Sequence, residues 1–519
     1  MNLINLQSNQ DFKIPISIFI IFLSGLILRF YFFPHELPLI ADGMDYFTYA
    51  TEIVHFGNLP TQWTPINNGW SIFLSFWFSI INLENSFQYM QLDRIISIFL
   101  SSLITIPVYF LCKKFFDAKI ALVGAALFAF DPRLLLNSLL GITEPLFILL
   151  GVSSLVIFLK YQQKAMILSF ILASFCTIVR SEGIFLFGIL SILFFIKYKF
   201  SKEILKTYFP CLVIFILILL PIMDYRTDVA GYDGIFQRAS FASNQIISIA
   251  NNDSGSEILD GLKLFTTYFG WILIPNFLLF LPFGFIQFLK HMNKENNFIF
   301  IFLIIYSLPL LYAYIVQAQD TRYFYFLFPI FSLISLFAVK KYLSFFKRKN
   351  IVLFIIIISL LISSIVFYEF KKIDSDNEKE INSISKIISE KELGLNFHPT
   401  VTRYIYANEL PTNWPFEISN TQFKTVIIET SNFSNLENFI SSSRNSLTSI
   451  VVDNDSNLPE FLQDVHINEK NYPYLEKSFD SCDYDFNYSI LIIKNLILGN
   501  SFLDKFNYSL IYYNHRFEK

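Results

Sequence analysis

At 519 residues, 54% hydrophobic and only 16% charged, with a mean hydropathy of +0.49, the chain carries more apolar surface than one soluble core can hide. A net charge of −3 gives no basis for nucleic-acid binding. Four cysteines form no disulfide framework, because Cys112, Cys176 and Cys211 fall in or beside apolar segments and Cys482 stands alone.

The chain therefore reads as an α-helical polytopic membrane protein. Its first apolar run, 14–33, has no cleavage pattern and is long enough to cross a bilayer, so it is expected to stay as a helix. Eight residues later comes a short acidic and aromatic stretch, Ala41-Asp42-Gly43-Met44-Asp45-Tyr46, which opens a helix expected to run to about His55. The apolar segment from Gly69 to Ile81 is too short for a ~30 Å hydrocarbon core and reads as an interfacial or re-entrant helix.

Ten further spans follow, at 94–112, 118–136, 142–160, 165–179, 183–196, 207–223, 268–289, 297–316, 323–339 and 350–369. With the first they make about 11 transmembrane helices. Alternate connections differ sharply in charge. The N-terminus and the connections at 113–119, 160–164, 197–206, 290–294 and 340–349 hold 17 Lys and Arg, against 7 in the opposite set at 34–94, 131–144, 180–182, 224–267 and 317–322. The positive-inside rule makes the first set cytoplasmic and turns Asp42 outward, as in a multi-pass plasma or inner membrane protein.

Beyond the last span, Lys371 to Glu392 is polar, with Ile381, Ile384, Ile387 and Ile388 on one helical face. Short β-rich runs at 425–430, 449–454, 490–494 and 509–513, with a helical stretch near 435–443, imply a small α/β extracytoplasmic domain. The expected division is thus a membrane domain, 1–370, and a soluble domain, 371–519. All five N-x-S/T triplets, at Asn252, Asn432, Asn454, Asn487 and Asn507, fall in segments assigned to the outer side.

Charged residues at membrane helix ends either reach back to water or serve a buried polar site. Taken by spacing alone, Asp42 is a solvated helix-capping carboxylate or a general base at the mouth of a pocket. Glu144 is a helix N-terminal carboxylate favoured by the dipole, or an acid of that site. Spans five and six are short, which places the Arg180-Ser181-Glu182 turn below the outer surface, with Arg180 either paired locally to Glu182 or offered to an anion. Arg322 has the same alternatives with Asp320. Arg29 and Arg94 are explained by snorkelling. His35 and His55 flank Asp42 and Asp45, so a divalent cation is conceivable there, although no spacing specifies ligands; His398, His466 and His515 form no constellation.

Several of these pieces occur in an order that resembles the GT-C superfamily of polyprenyl-phosphate-sugar-dependent glycosyltransferases, the protein mannosyltransferase and aminoarabinose transferase group. They are Asp42-Gly43-x-x-Tyr46-x-x-x-Ala50, Asp93-Arg94, Tyr109-x-x-x-Lys113-Lys114-Phe115, Asp131-Pro132, Thr143-Glu144, Val179-Arg180-Ser181-Glu182-Gly183 and Thr321-Arg322-Tyr323 with Pro329. The resemblance covers roughly residues 14 to 345. It implies Asp42 as catalytic base, with Gly43 where the family often has a second acid and Asp45 as a substitute for it. It further implies substrate-binding roles for Asp45, Tyr46, Glu144, Arg180, Arg322 and Tyr323. The expected partners are a polyprenyl-phosphate-linked sugar such as the hexose mannose, a lipid, glycan or protein acceptor, and membrane lipid. An oligosaccharide polymerase or ligase would share the spans but depend on outer-loop arginines. A transporter should show repeated halves, and no convincing repeat is present.

Overall fold

A computed structural model describes residues 4–160, 166–237, 240, 244, 255–391, 394–411, 422–443, 446–452, 458–472, 475, 479–480, 489–494 and 507–512. Cys482, His515 and the triplets at Asn252, Asn454 and Asn487 lie outside the described residues; Asn432 sits exposed in a turn, and Asn507 opens a strand.

Among the described residues six helical segments are long and apolar enough to cross a membrane: Ile14–Tyr31, Ser86–Phe115, Lys202–Ala230, Lys294–Ile315, Thr321–Leu343 and Lys349–Glu390. The pair Ala118–Ala129 and Pro132–Ser138, bent by 52°, adds a seventh if it counts as one crossing. Glu144–Lys160, Met166–Val179 and Gly183–Tyr198 are shorter apolar helices, as is Gly69–Ile80. The protein is a polytopic helical membrane protein.

Three expected elements are redrawn. The span at 268–289 is two helices, Gly255–Leu273 and Leu281–Lys290, because Pro275 can neither donate to the helical ladder nor clear the preceding turn. The run at 118–136 bends where Asp131 caps a new helix, accepting from the backbone N–H of Arg133 at 3.0 Å and Leu134 at 3.2 Å. The last span and the polar segment after it form one 42-residue helix, Lys349–Glu390. No Gly or Pro interrupts it, and its apolar spacing persists after the hydropathy falls.

Arg29 and Arg94 do not snorkel. Arg29 is wholly buried and donates to the carbonyls of Gly25 and Ala129, each at 3.0 Å, and to Ser101 Oγ at 3.2 Å. Arg94 Nε donates to the Leu139 carbonyl at 2.9 Å. Ala129 and Leu139 lie at or just past helix ends, where carbonyls lack intrahelical donors, and the two guanidinium groups supply them.

The described chain divides into two compact units. The first comprises residues 1–33, 45–82 and 91–369 and is a helical bundle. Its interior buries Trp70, Tyr49, Tyr109 and Phe128, and the thiols of Cys112, Cys176 and Cys211. The second takes in residues 34–44, 83–90 and 370–519. It holds a six-stranded mixed sheet of β1 (Leu395–Asn396), β2 (Ile427–Ile428), β3 (Ser449–Val452), β4 (Phe479–Asp480), β5 (Ser489–Lys494) and β6 (Asn507–Tyr512), in the order β2-β1-β3-β5-β6-β4. Pairing is parallel at β1–β2, β1–β3 and β4–β6, and antiparallel at β3–β5 and β5–β6. Ile381, Ile384 and Ile388 pack with Leu37, Leu395, Val401 and Val451 into one core, which explains their shared helical face. Phe439, Ile440, Ile450 and Leu462 anchor a second.

Candidate active site

In the first unit, the helices Met166–Val179 and Gly183–Tyr198 meet at the turn Arg180-Ser181-Glu182. The turn is tight because Gly183 carries no Cβ; one built there would lie 2.5 Å from the Thr177 backbone nitrogen. Gly69 serves the same end on the neighbouring helix Gly69–Ile80, since a Cβ there would lie 2.7 Å from the Val179 backbone. With the backbones this close, Asn67 Oδ1 accepts from the Ser181 N–H at 3.2 Å.

The turn presents Arg180 to two carboxylates. Its guanidinium lies 2.6 Å from Glu144 Oε1 and 2.9 Å from Glu182 Oε1, and it also donates to Thr143 Oγ1 at 3.3 Å. Glu144 opens the helix Glu144–Lys160 and its side chain is only 4% exposed. Arg180 further rests 5.8 Å from the Phe147 ring and lies within electrostatic reach of Tyr46. The local Glu182 pairing, one of the two alternatives read from the sequence, is present, and Glu144 completes it from 36 residues away.

Arg322 is set by a second short turn. Asp320 caps the 3-10 helix Thr321–Leu327, accepting from the Arg322 N–H at 2.8 Å, and its other oxygen lies 2.5 Å from Arg322 Nε. Tyr314 donates to the Asp320 carbonyl at 2.7 Å and meets Tyr323 edge to face at 6.2 Å.

Both arginines open onto one cavity of about 620 Å³. Glu144, Glu182 and Tyr323 line its polar part, whereas Ile184, Phe185, Leu308, Leu310 and Val316 make most of its wall apolar. Phe326 also lines it, its ring 4.5 Å from both a tilted Phe147 and a stacked Tyr306. Four residues named from the sequence, Glu144, Arg180, Arg322 and Tyr323, are thus brought together. Chemically, the arrangement offers two guanidinium groups, each oriented by its carboxylate partners, on the wall of a largely apolar hollow.

Asp42, Asp45 and Tyr46 share the helix Asp42–Phe56. Asp42, its first residue, belongs to the second unit, and Asp45 and Tyr46 to the first. Both carboxylates are in exposed residues and Tyr46 is buried. The residue before the helix, Ala41, has φ +50°, a left-handed conformation uncommon outside glycine, which turns the chain sharply at Asp42. Among the described residues no three His, Cys, Asp or Glu side chains are grouped to hold a metal ion, so the positions of His35 and His55 build no such site.

Sequence reasoning missed two parts of this region. Tyr306 enters the cavity from mid-helix with no local signal. A buried network also joins Tyr49, Asn68, Tyr225 and Arg226, with Arg226 donating to Asn68 Oδ1 at 2.6 Å and Asn68 to the Tyr49 hydroxyl at 3.2 Å. Burial, then the contact with Tyr225, pushes the Tyr49 hydroxyl well up from its ordinary range. The signal for this network was Arg226 itself, a cation three residues past an apolar run.

The sequence matches no protein-family model and no curated protein. Solved structures do match. The oligosaccharyltransferase of Archaeoglobus fulgidus, tethered with an acceptor peptide containing the NVT sequon, aligns at 14% identity over 85% of this chain and 69% of that one, with a TM-score of 0.55. AglB from the same organism, in complex with an inhibitory peptide and a dolichol-phosphate, gives 12%, 86%, 70% and 0.50. ArnT from Cupriavidus metallidurans, bound to undecaprenyl phosphate, gives 10% identity over 93% of this chain and 99% of that one, with a TM-score of 0.52. At these identities the likeness is one of fold.

Proposed function

We propose that this chain, whose fold is that of the GT-C polyprenyl-phosphate-dependent glycosyltransferases, moves a sugar from a polyprenyl-phosphate donor to an extracytoplasmic acceptor. The observation that carries the reading is the pairing of Arg180 and Arg322 with an apolar cavity, which suits a lipid phosphate better than a soluble sugar nucleotide. A hexose such as mannose is the sugar proposed, and a lipid, glycan or protein hydroxyl the acceptor.

In this reading Asp42 is the general base. It takes the proton of the acceptor hydroxyl, the acceptor oxygen bonds to the anomeric carbon, and the bond from that carbon to the phosphate oxygen breaks through an oxocarbenium-like state. Arg180 and Arg322 neutralise the departing polyprenyl phosphate, with Glu144 and Glu182 fixing the Arg180 guanidinium. One displacement inverts the anomeric centre. Asp45, Tyr46 and Tyr323 are assigned to sugar and acceptor contact.

The test is transfer of radiolabel from a polyprenyl-phosphate hexose in membranes containing wild-type or Asp42→Asn protein. Loss of a general base is expected to slow transfer about 10²- to 10⁴-fold while donor binding is retained. Equal transfer by the two proteins would remove Asp42 from the role.

A further inference from the structure

The bundle carries a second concentration of charge, remote from Arg180. Glu144–Lys160 and Gly183–Tyr198 start beside the cavity and carry Lys160 and Lys197 in their last turns, while Lys294–Ile315 starts at Lys294 and reaches the cavity with its other end. At ~1.5 Å per residue, Lys160 stands roughly 24 Å along its helix from Glu144. Lys113 and Lys114 join this end from the last turn of Thr105–Phe115. Lys114 pairs with Glu295 at 2.8 Å, and Lys197 interacts electrostatically with Lys114, Lys294 and Glu295.

Within this cluster lies a hollow of about 290 Å³. Lys113, Lys114 and Lys160 line it together with four apolar side chains, among them Phe110 and Leu159, and among the described residues no acid does. Lys160 Nζ sits 5.0 Å from the Phe110 ring, so aliphatic stem, ring and ammonium form one amphipathic wall. A second hollow of about 470 Å³ shares Lys114 and extends the cationic surface to Lys340 and Lys341.

We propose that the hollow at Lys113, Lys114 and Lys160 binds the phosphodiester head group of an anionic phospholipid. Lys113 and Lys160 supply the positive charge for a phosphodiester, with Lys114, itself paired to Glu295, beside them. The apolar half of the lining favours a lipid over a soluble phosphate, because it matches the glycerol and first methylenes that follow a head group. The exposed ring of Phe110 continues the apolar surface outward for the acyl chains. The site is independent of the donor cavity, and its test does not depend on transfer activity.

The full chain in detergent is titrated with phosphatidylglycerol and, separately, phosphatidylcholine, reading thermal stability and lipid retention by native mass spectrometry. Phosphatidylglycerol is expected to be retained and stabilising at concentrations where phosphatidylcholine is neither. K113Q/K160Q, which keeps the Lys114–Glu295 pair, is expected to bind phosphatidylglycerol about 25-fold more weakly, at roughly fivefold per lysine. Equal affinity for the two lipids, or unchanged affinity in the variant, would overturn the proposal. Equal stabilisation by soluble glycerol phosphate would overturn the lipid as source. Should K113Q/K160Q fail to fold, salt decides on the wild-type protein: phosphatidylglycerol binding must weaken as ionic strength rises, and salt-independent binding refutes recognition of the head group by charge.

Discussion

Arg180 is held by two carboxylates, one of them almost wholly buried, and this gives the residue an energetic signature separate from any catalytic one. Arg180→Met removes the partner of Glu144 and is expected to destabilise the protein by about 3–5 kcal/mol, the usual cost of stranding a buried charge. Adding Glu144→Gln should recover much of that loss, so thermal unfolding of the two single variants and the double variant would show strong coupling. Additive losses would mean that the pair is energetically idle. The residue types at this site were legible in the sequence because cations at the ends of apolar runs are costly and conspicuous. Their partners were legible only when local. Glu182 lies two residues from Arg180 and Asp320 two from Arg322, and each pair was one of two alternatives the spacing offered; Glu144 joins Arg180 through helix packing that no local spacing encodes. Tyr306, an aromatic residue within an aromatic-rich helix, had nothing to distinguish it.

Helices were legible where apolar length decides them, and less so where a single residue redirects the chain. Pro275 divides one expected span, whereas the polar stretch after 370 fails to end its helix because nothing in it breaks the backbone ladder. Arg29 and Arg94 were read from their nearness to water, but carbonyls at the ends of neighbouring helices hold them inside. The approach of Gly69–Ile80 to the end of Met166–Val179 makes a prediction at this scale. Gly69→Ala would bring a methyl group to 2.7 Å from the Val179 backbone. The helices must then separate, at a cost of about 1–3 kcal/mol for overpacking. A lower thermal midpoint, with the Arg180 turn more accessible to hydrogen exchange, is the expected outcome. Unchanged protection of Ser181 would show that the contact does not hold the turn.

Across the whole molecule, the division of 17 Lys and Arg against 7 between alternate connections predicts a cytoplasmic basic end and an outward Asp42. A thiol introduced at Glu84 should react with an impermeant maleimide on intact cells, and one at Lys202 only after the membrane is opened; the reverse pattern would invert the topology. Cys112, Cys176 and Cys211 are all buried within the bundle. Their burial makes the protein close to its own cysteine-free background. With Cys482→Ser as the sole further change, the native thiols should be silent to the reagent. Sidedness could then be mapped one engineered position at a time, without rebuilding the interior to remove them.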